Sequence, residues 1–106
     1  MIYKLKFKSN RNYNFITYCN GSRYRFHLKY DVLDDSYYLD IDKLIEDKYS
    51  PFIQGIKLNT FVDLFISYKG YNLGTFIVVS TDSRYAYEIP RANTITKYFE
   101  IIWEHD

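Results

Sequence analysis

Residues 20–41 read NGSRYRFHLKYDVLDDSYYLDI, alternating large aromatic residues with charges almost without a break. The stretch opens on Asn20-Gly21, directly after a second alternating run, YNFITYC at 13–19. Asn-Gly between alternating runs predicts a two-residue type I′ hairpin turn, because both central positions need positive φ. That turn pairs Cys19 with Ser22, Thr17 with Tyr24, Phe15 with Phe26 and Tyr13 with Leu28. On the opposite face Tyr18 meets Arg23, Ile16 meets Arg25 and Asn14 meets His27. A slip of one residue would turn every side chain to the wrong face, so this agreement specifies the register.

A four-residue loop at Leu33 to Ser36 then predicts Tyr30 opposite Leu39, Leu28 opposite Ile41 and Lys29 opposite Asp40. One face stays apolar and the other sets opposite charges side by side. The basic stripe Arg23, Arg25 and Lys29 therefore reads as a solvated, partly paired sheet face. A single-strand nucleic-acid platform wants rings and cations on one face. Alternation in RYRFHLKY separates them, and no sequence-specific nucleic-acid binding is expected.

The chain has 106 residues, the size of one domain with a single modest core. Residues 1–106 are accordingly expected to form one β domain. Its parts would be a basic strand and loop at 1–12, a three-stranded meander at 13–42, and the remaining strands with a connecting helical turn at 43–106. Aromatic residues make up 21% of the chain, with 13 Tyr and 8 Phe, which favours strands. The net charge is only +1, but residues 1–30 hold seven Lys or Arg and no acid, while residues 31–63 hold eight acids against three lysines. Such a dipolar chain suits head-to-tail association or docking on an acidic partner, unless the charges pair across adjacent strands.

Lys4, Lys6 and Lys8 interrupt the first apolar run, which excludes a secretory h-region there, and no run is long enough to span a bilayer. Synthesis and retention in the cytoplasm, or assembly there into something larger, is the expectation, with no membrane partner. The single Cys19 excludes an internal disulfide and a cysteine-based zinc site.

Elsewhere IYKLKF at 2–7 reads as a first strand and SNRN as a loop. KLIEDKYSPF at 43–52 fits no single element, and Pro51 argues against a central strand. FIQGIKL at 52–58 reads as a short extended piece broken at Gly55. Thr60 to Asp63 has capping-box spacing, with Asp in the place of Glu, and Phe61, Leu64 and Phe65 share one helical face. A short helix is predicted over 61–67. TFIVVS at 75–80 is apolar on both faces, which predicts a central strand. A short strand follows at Tyr85 to Ile89, and TITKYFEIIW at 94–103 closes the chain with Ile95, Phe99, Ile101 and Trp103 on one side. The fold class is mainly β, a small barrel or two-sheet sandwich of about seven short antiparallel strands with one helical segment.

No constellation for catalysis emerges. Cys19 and His27 fall on opposite faces of the hairpin, which rules out a nucleophile–base dyad. Asp31, Asp34, Asp35, Asp40 and Asp42 lack the glycine and terminal glutamate of a calcium loop. Gly70 and Gly74 precede no GK[ST]. No catalytic residue, cofactor or metal is expected, and the chain does not read as an enzyme. Tyrosines free of core duty suit protein contact, since each buries area while keeping a polar tip. The candidate interface residues are Tyr18, Arg23, Arg25, Tyr38, Tyr85 and Tyr87. The alternative is a carbohydrate-type ligand-binding β module using exposed tyrosines.

Taken in order, Asn20-Gly21-x-Arg23-Tyr24-x-Phe26-x-Leu28-x-Tyr30, YYLDI (37–41), IQGIKL (53–58), VDLF (62–65) and GTFIVV (74–79) form a recognisable series. It resembles the small baseplate plug proteins of contractile-tailed bacteriophages and phage-tail-like particles, from about Asn20 to Trp103. Asn20 and Gly21 fit that family's turn, Gly55 its break after the third strand, Val62-Asp63-Leu64 its connecting segment, and Gly74 leads the apolar strand. Two features depart from it: KLIEDKYS lengthens a tight connection, and YYLDI has Tyr where relatives often carry Trp. The resemblance implies a structural virion protein of the tail baseplate, made in the host bacterial cytoplasm. It would sit at the distal end of the tail tube among hub, spike and tube rings, in several symmetric copies, without cofactor or catalysis.

Overall fold

A computed structural model describes residues 1–106. The chain is mainly β, with seven strands in two antiparallel sheets and no closed barrel. Strands β2 (Tyr13–Cys19), β3 (Ser22–Asp31), β4 (Ser36–Ile45) and β5 (Lys48–Lys57) form a meander in sequence order. The second sheet has the order β1 (Ile2–Lys6), β7 (Phe99–Glu104), β6 (Thr75–Ser80).

The β2–β3 hairpin has the predicted register throughout, from Tyr13 opposite Leu28 to Cys19 opposite Ser22. Asn20 and Gly21 take φ of 51° and 79°, as an Asn-Gly type I′ turn requires.

The β3–β4 register differs from expectation by two residues. Asp31 faces Ser36, Tyr30 faces Tyr37, Leu28 faces Leu39 and Phe26 faces Ile41, so the loop is 32–35. The local carboxylates fix it. Asp31 accepts from the Leu33 N–H at 3.0 Å, Ser36 Oγ donates to Asp34 at 2.6 Å, and Tyr30 Oη donates to Asp35, itself at φ 46°. A shift of two preserves the faces, so the apolar side remains apolar.

Residues 43–52 resolve into a second hairpin. Glu46 and Asp47 turn at φ 50° and 65°, and Pro51 lies in β5, an edge strand, which spares the ladder its missing donor. Gly55 sits at φ 75° beside a bulge, and its N–H donates to Asp40 Oδ1 at 2.8 Å.

Four further expectations are corrected. Of the segment 61–67, residues 61–65 are not helical. Phe61 at φ 58° breaks it, Asp63 Oδ1 accepts from the Phe65 and Phe76 N–H groups at 3.0 Å each, and a 3₁₀ turn follows at Ile66–Tyr71. The stretch Tyr85 to Ile89 is not a strand, because Asp82 accepts from the Arg84 N–H and starts a 3₁₀ turn at Ser83–Tyr85. In 94–103, Ile95–Tyr98 form one helical turn before β7 begins. β6 is an edge strand rather than a central one. Its outer edge is covered by a loop, through Phe61 N–H to Val78 O at 2.9 Å and Leu64 N–H to Phe76 O at 2.8 Å.

The sheets meet over an aromatic cluster. Phe26 of β3 packs on Trp103 of β7 with ring centroids 5.2 Å apart, and Phe65 packs on Phe76 at 4.9 Å. All four rings are buried. Trp103 Nε1–H donates to the Leu73 carbonyl at 2.7 Å, which satisfies the one polar atom in the cluster. Tyr37 is fully buried, its hydroxyl donates to the Asn10 carbonyl at 2.8 Å, and burial pushes its pKa up to about 12.

Candidate protein interface

Alternation in β3 turns Tyr24, Phe26 and Leu28 inward and leaves Arg23, Arg25, His27 and Lys29 outside. Two carboxylates of β4 sit among these groups. Arg25 Nη2 donates to Asp42 Oδ2 at 3.1 Å, His27 Nε2 lies 3.0 Å from the same oxygen, and Lys29 Nζ lies 2.5 Å from Asp40. Asp40 and Asp42 keep only 11% and 12% of their side chains exposed, so this ladder is half-sunk rather than splayed in solvent. Burial raises the Asp40 pKa, but the Lys29 ammonium and the Gly55 N–H outweigh it and hold the carboxyl below its ordinary range.

The expected pairing of the basic stripe thus holds for Arg25 and Lys29, with Lys29 reaching Asp40 diagonally. Arg23 has no carboxylate partner. Its guanidinium lies 5.6 Å from the ring centre of Tyr18, an exposed residue, and its buried Nε finds no acceptor. The Arg25 guanidinium covers Tyr49 at 4.5 Å. Tyr38 is half-buried, and its hydroxyl donates to Asp34. Asp34 also holds Lys57 at 2.8 Å; the Lys57 and Ser36 donors pull its pKa down to about 2. Tyr18, Arg23, Arg25 and Tyr38 therefore share the outer face of the four-stranded sheet.

Tyr85 and Tyr87 lie elsewhere, in the segment between β6 and β7. Tyr85 is half-buried and stacks on Tyr98 at 4.5 Å with ring planes 15° apart. Tyr87 is 92% exposed, and its ring centre is 6.4 Å from that of Phe61. The structure accordingly divides the six candidate residues between two regions.

Sequence reasoning passes over other outward apolar groups: Phe61 beside Tyr87, Val62 and Ile66 in the same loop as Phe61, and Val32 with Leu33 at the β3–β4 turn. Spacing alone puts Phe61 on a buried helical face, and its positive φ turns it outward instead. The turn apolars stand between Asp31 and Asp34, and that flanking is the one signal that could have marked them as exposed.

Two antiparallel sheets closed over aromatic rings, with a paired charge ladder outside and apolar groups at the margins, define a small β protein that presents itself through surfaces. Residues 2–106 match the family model of the cyanophage baseplate Pam3 plug gp18, and the chain belongs to that family. It is therefore a structural protein of a phage tail baseplate, with its place in the virion. No curated protein matches the chain.

Proposed function

We propose that the chain acts as a plug at the distal end of the tail tube, packed among hub, spike and the first tube rings. It works there in several symmetric copies and catalyses nothing. The observation that carries this reading is the family match across residues 2–106. The surface supports it: unpaired Arg23 beside exposed Tyr18 on one sheet, and exposed Phe61 and Tyr87 in a second region, give one copy contacts for more than one neighbour. The six candidate residues are proposed as contact groups on that basis.

The test is to tag the chain in its native host, induce particles, purify by the tag and image the product by electron microscopy. Tails carrying the tag at the distal end are the expected result. Free protein with no tail proteins attached overturns the placement.

A further inference from the structure

β1 and β2 are each hydrogen-bonded on one side only, β1 to β7 and β2 to β3. Their outer edges border a groove of about 520 Å³, with Leu5, Phe15, Ile101 and Trp103 among its apolar lining. The backbone along both walls is arranged for pairing. A two-residue turn makes Cys19 and Ser22 a mutually bonded pair, and such pairs then alternate along the hairpin. Asn14, Ile16 and Tyr18 therefore aim their N–H and C=O groups away from β3. On the other wall Met1 and His105 exchange hydrogen bonds of 2.8 and 3.1 Å, and the same alternation leaves Ile2, Lys4 and Lys6 aimed away from β7. Two rows of backbone groups unused by their own sheets, each at a period of two, thus border one groove.

Charge narrows the occupant. Lys4, Lys6 and Lys8 line the groove, no carboxylate does, and none of the three lysines enters an ion pair. Glu100 stands across the ladder from Lys6 without pairing with it. Lysines on an open edge repel a like edge, which disfavours a second copy pairing through its own β1. The two strands of this chain that carry two acids each, β4 and β7, both lie inside their sheets, and Asp40 and Asp42 are already paired.

We propose that an extended segment of a neighbouring baseplate protein, alternating apolar and acidic residues, adds as a strand between β1 and β2. The inference rests on the baseplate reading above and names the chemistry of one partner. Apolar side chains would meet the groove floor, and carboxylates would lie beside the lysines. Main-chain bonds would supply attachment and the alternation would supply selectivity. A five-residue edge such as β1 accepts about 17 Å of strand.

Hydrogen–deuterium exchange of the chain, free and within purified tails, tests this. The amides of Lys4, Lys6, Asn14, Ile16 and Tyr18 should slow by about tenfold or more in tails, the mark of new main-chain bonds. Full exchange at these amides in tails that contain the chain overturns the strand addition and leaves the baseplate placement standing. Wild-type chain missing from tails defeats the placement, and the inference with it. Ile16→Pro removes an edge N–H that the hairpin does not use, so it should fold and yet enter tails about tenfold less. The pair Lys4→Glu with Lys6→Glu gives the same reading without altering the backbone. Entry of these variants at the wild-type level overturns the proposal.

Discussion

Gly74 lies so close to Glu104 that a Cβ on the glycine would stand 1.9 Å from the Glu104 carbonyl oxygen. This contact fixes the entry of β6 against the end of β7, and Gly74 is held at φ 79° as well. Gly74→Ala must both adopt a left-handed backbone and displace a neighbouring main chain. We expect a loss of about 2–5 kcal/mol, combining the conformational and overpacking costs, read from urea denaturation. A variant as stable as wild type would show that β6 can move away from β7.

Gly21 isolates the first of those two costs. It has φ 79°, but a Cβ there would meet no atom within 4 Å, so Gly21→Val strains only the turn. The expected loss is about 1–2 kcal/mol, with a melting temperature lower by roughly 4–8 °C for each kcal/mol. A wild-type melting temperature would contradict the type I′ geometry.

The two arginines of β3 should behave differently. Arg23 has no carboxylate partner, so Arg23→Glu should change monomer stability by no more than about 0.5 kcal/mol while weakening association. Arg25→Glu sets a like charge against Asp42 and should cost about 1–3 kcal/mol, less than a fully buried pair because Arg25 keeps a third of its side chain exposed. Thermal melting of the monomer, with co-purification of tail proteins, separates the two effects. Unfolding of the Arg23 variant would contradict its outward placement.

Stability should depend on pH at both extremes. Asp34, Asp40 and Asp63 have lowered pKa values in the folded chain, Asp34 at about 2. Groups of this sign stabilise the fold above the unfolded carboxylate pKa of about 3.9 and lose that effect as pH falls through their folded values. The melting temperature should therefore decline from about pH 4 toward pH 2, and Asp40→Asn should flatten part of that decline. Tyr37 has the opposite sign: its pKa is raised to about 12, so its contribution is complete below about pH 10 and fades as pH climbs toward 12. Tyr13, Tyr24 and Tyr30 are also shifted upward, so tyrosinate absorbance should show a late-titrating group of rings, and Tyr37→Phe should remove the part that titrates near pH 12.

What the sequence discloses follows from how local each determinant is. Asn20-Gly21 announces positive φ by residue type, so the first hairpin is legible down to individual pairs. Glu46-Asp47 makes a turn with residues that carry no such mark, and the β4–β5 hairpin stays hidden. The β3–β4 loop slips by two because Asp31, Asp34 and Asp35 choose the turn through side-chain bonds that spacing does not reveal. Parity survives the slip, and with it the pairing of Arg25 and Lys29 across the outer face. β6 has the apolar pattern of a central strand, yet its second neighbour is a loop rather than a strand. The β1–β2 groove is illegible for a related reason: no residue type records which strand edges end beside one another.

β1 finds its only strand partner in β7, at the opposite end of the sequence. The meander of β2 to β5 can form as soon as its own residues leave the ribosome, since each strand pairs with the next. The three-stranded sheet must instead wait until Glu104 is made, and its closure joins the most distant segments of the chain. Until β7 is made, Phe26 has no Trp103 to cover it, and a truncation within β7 should leave β1 unpaired and the aromatic face of β3 exposed.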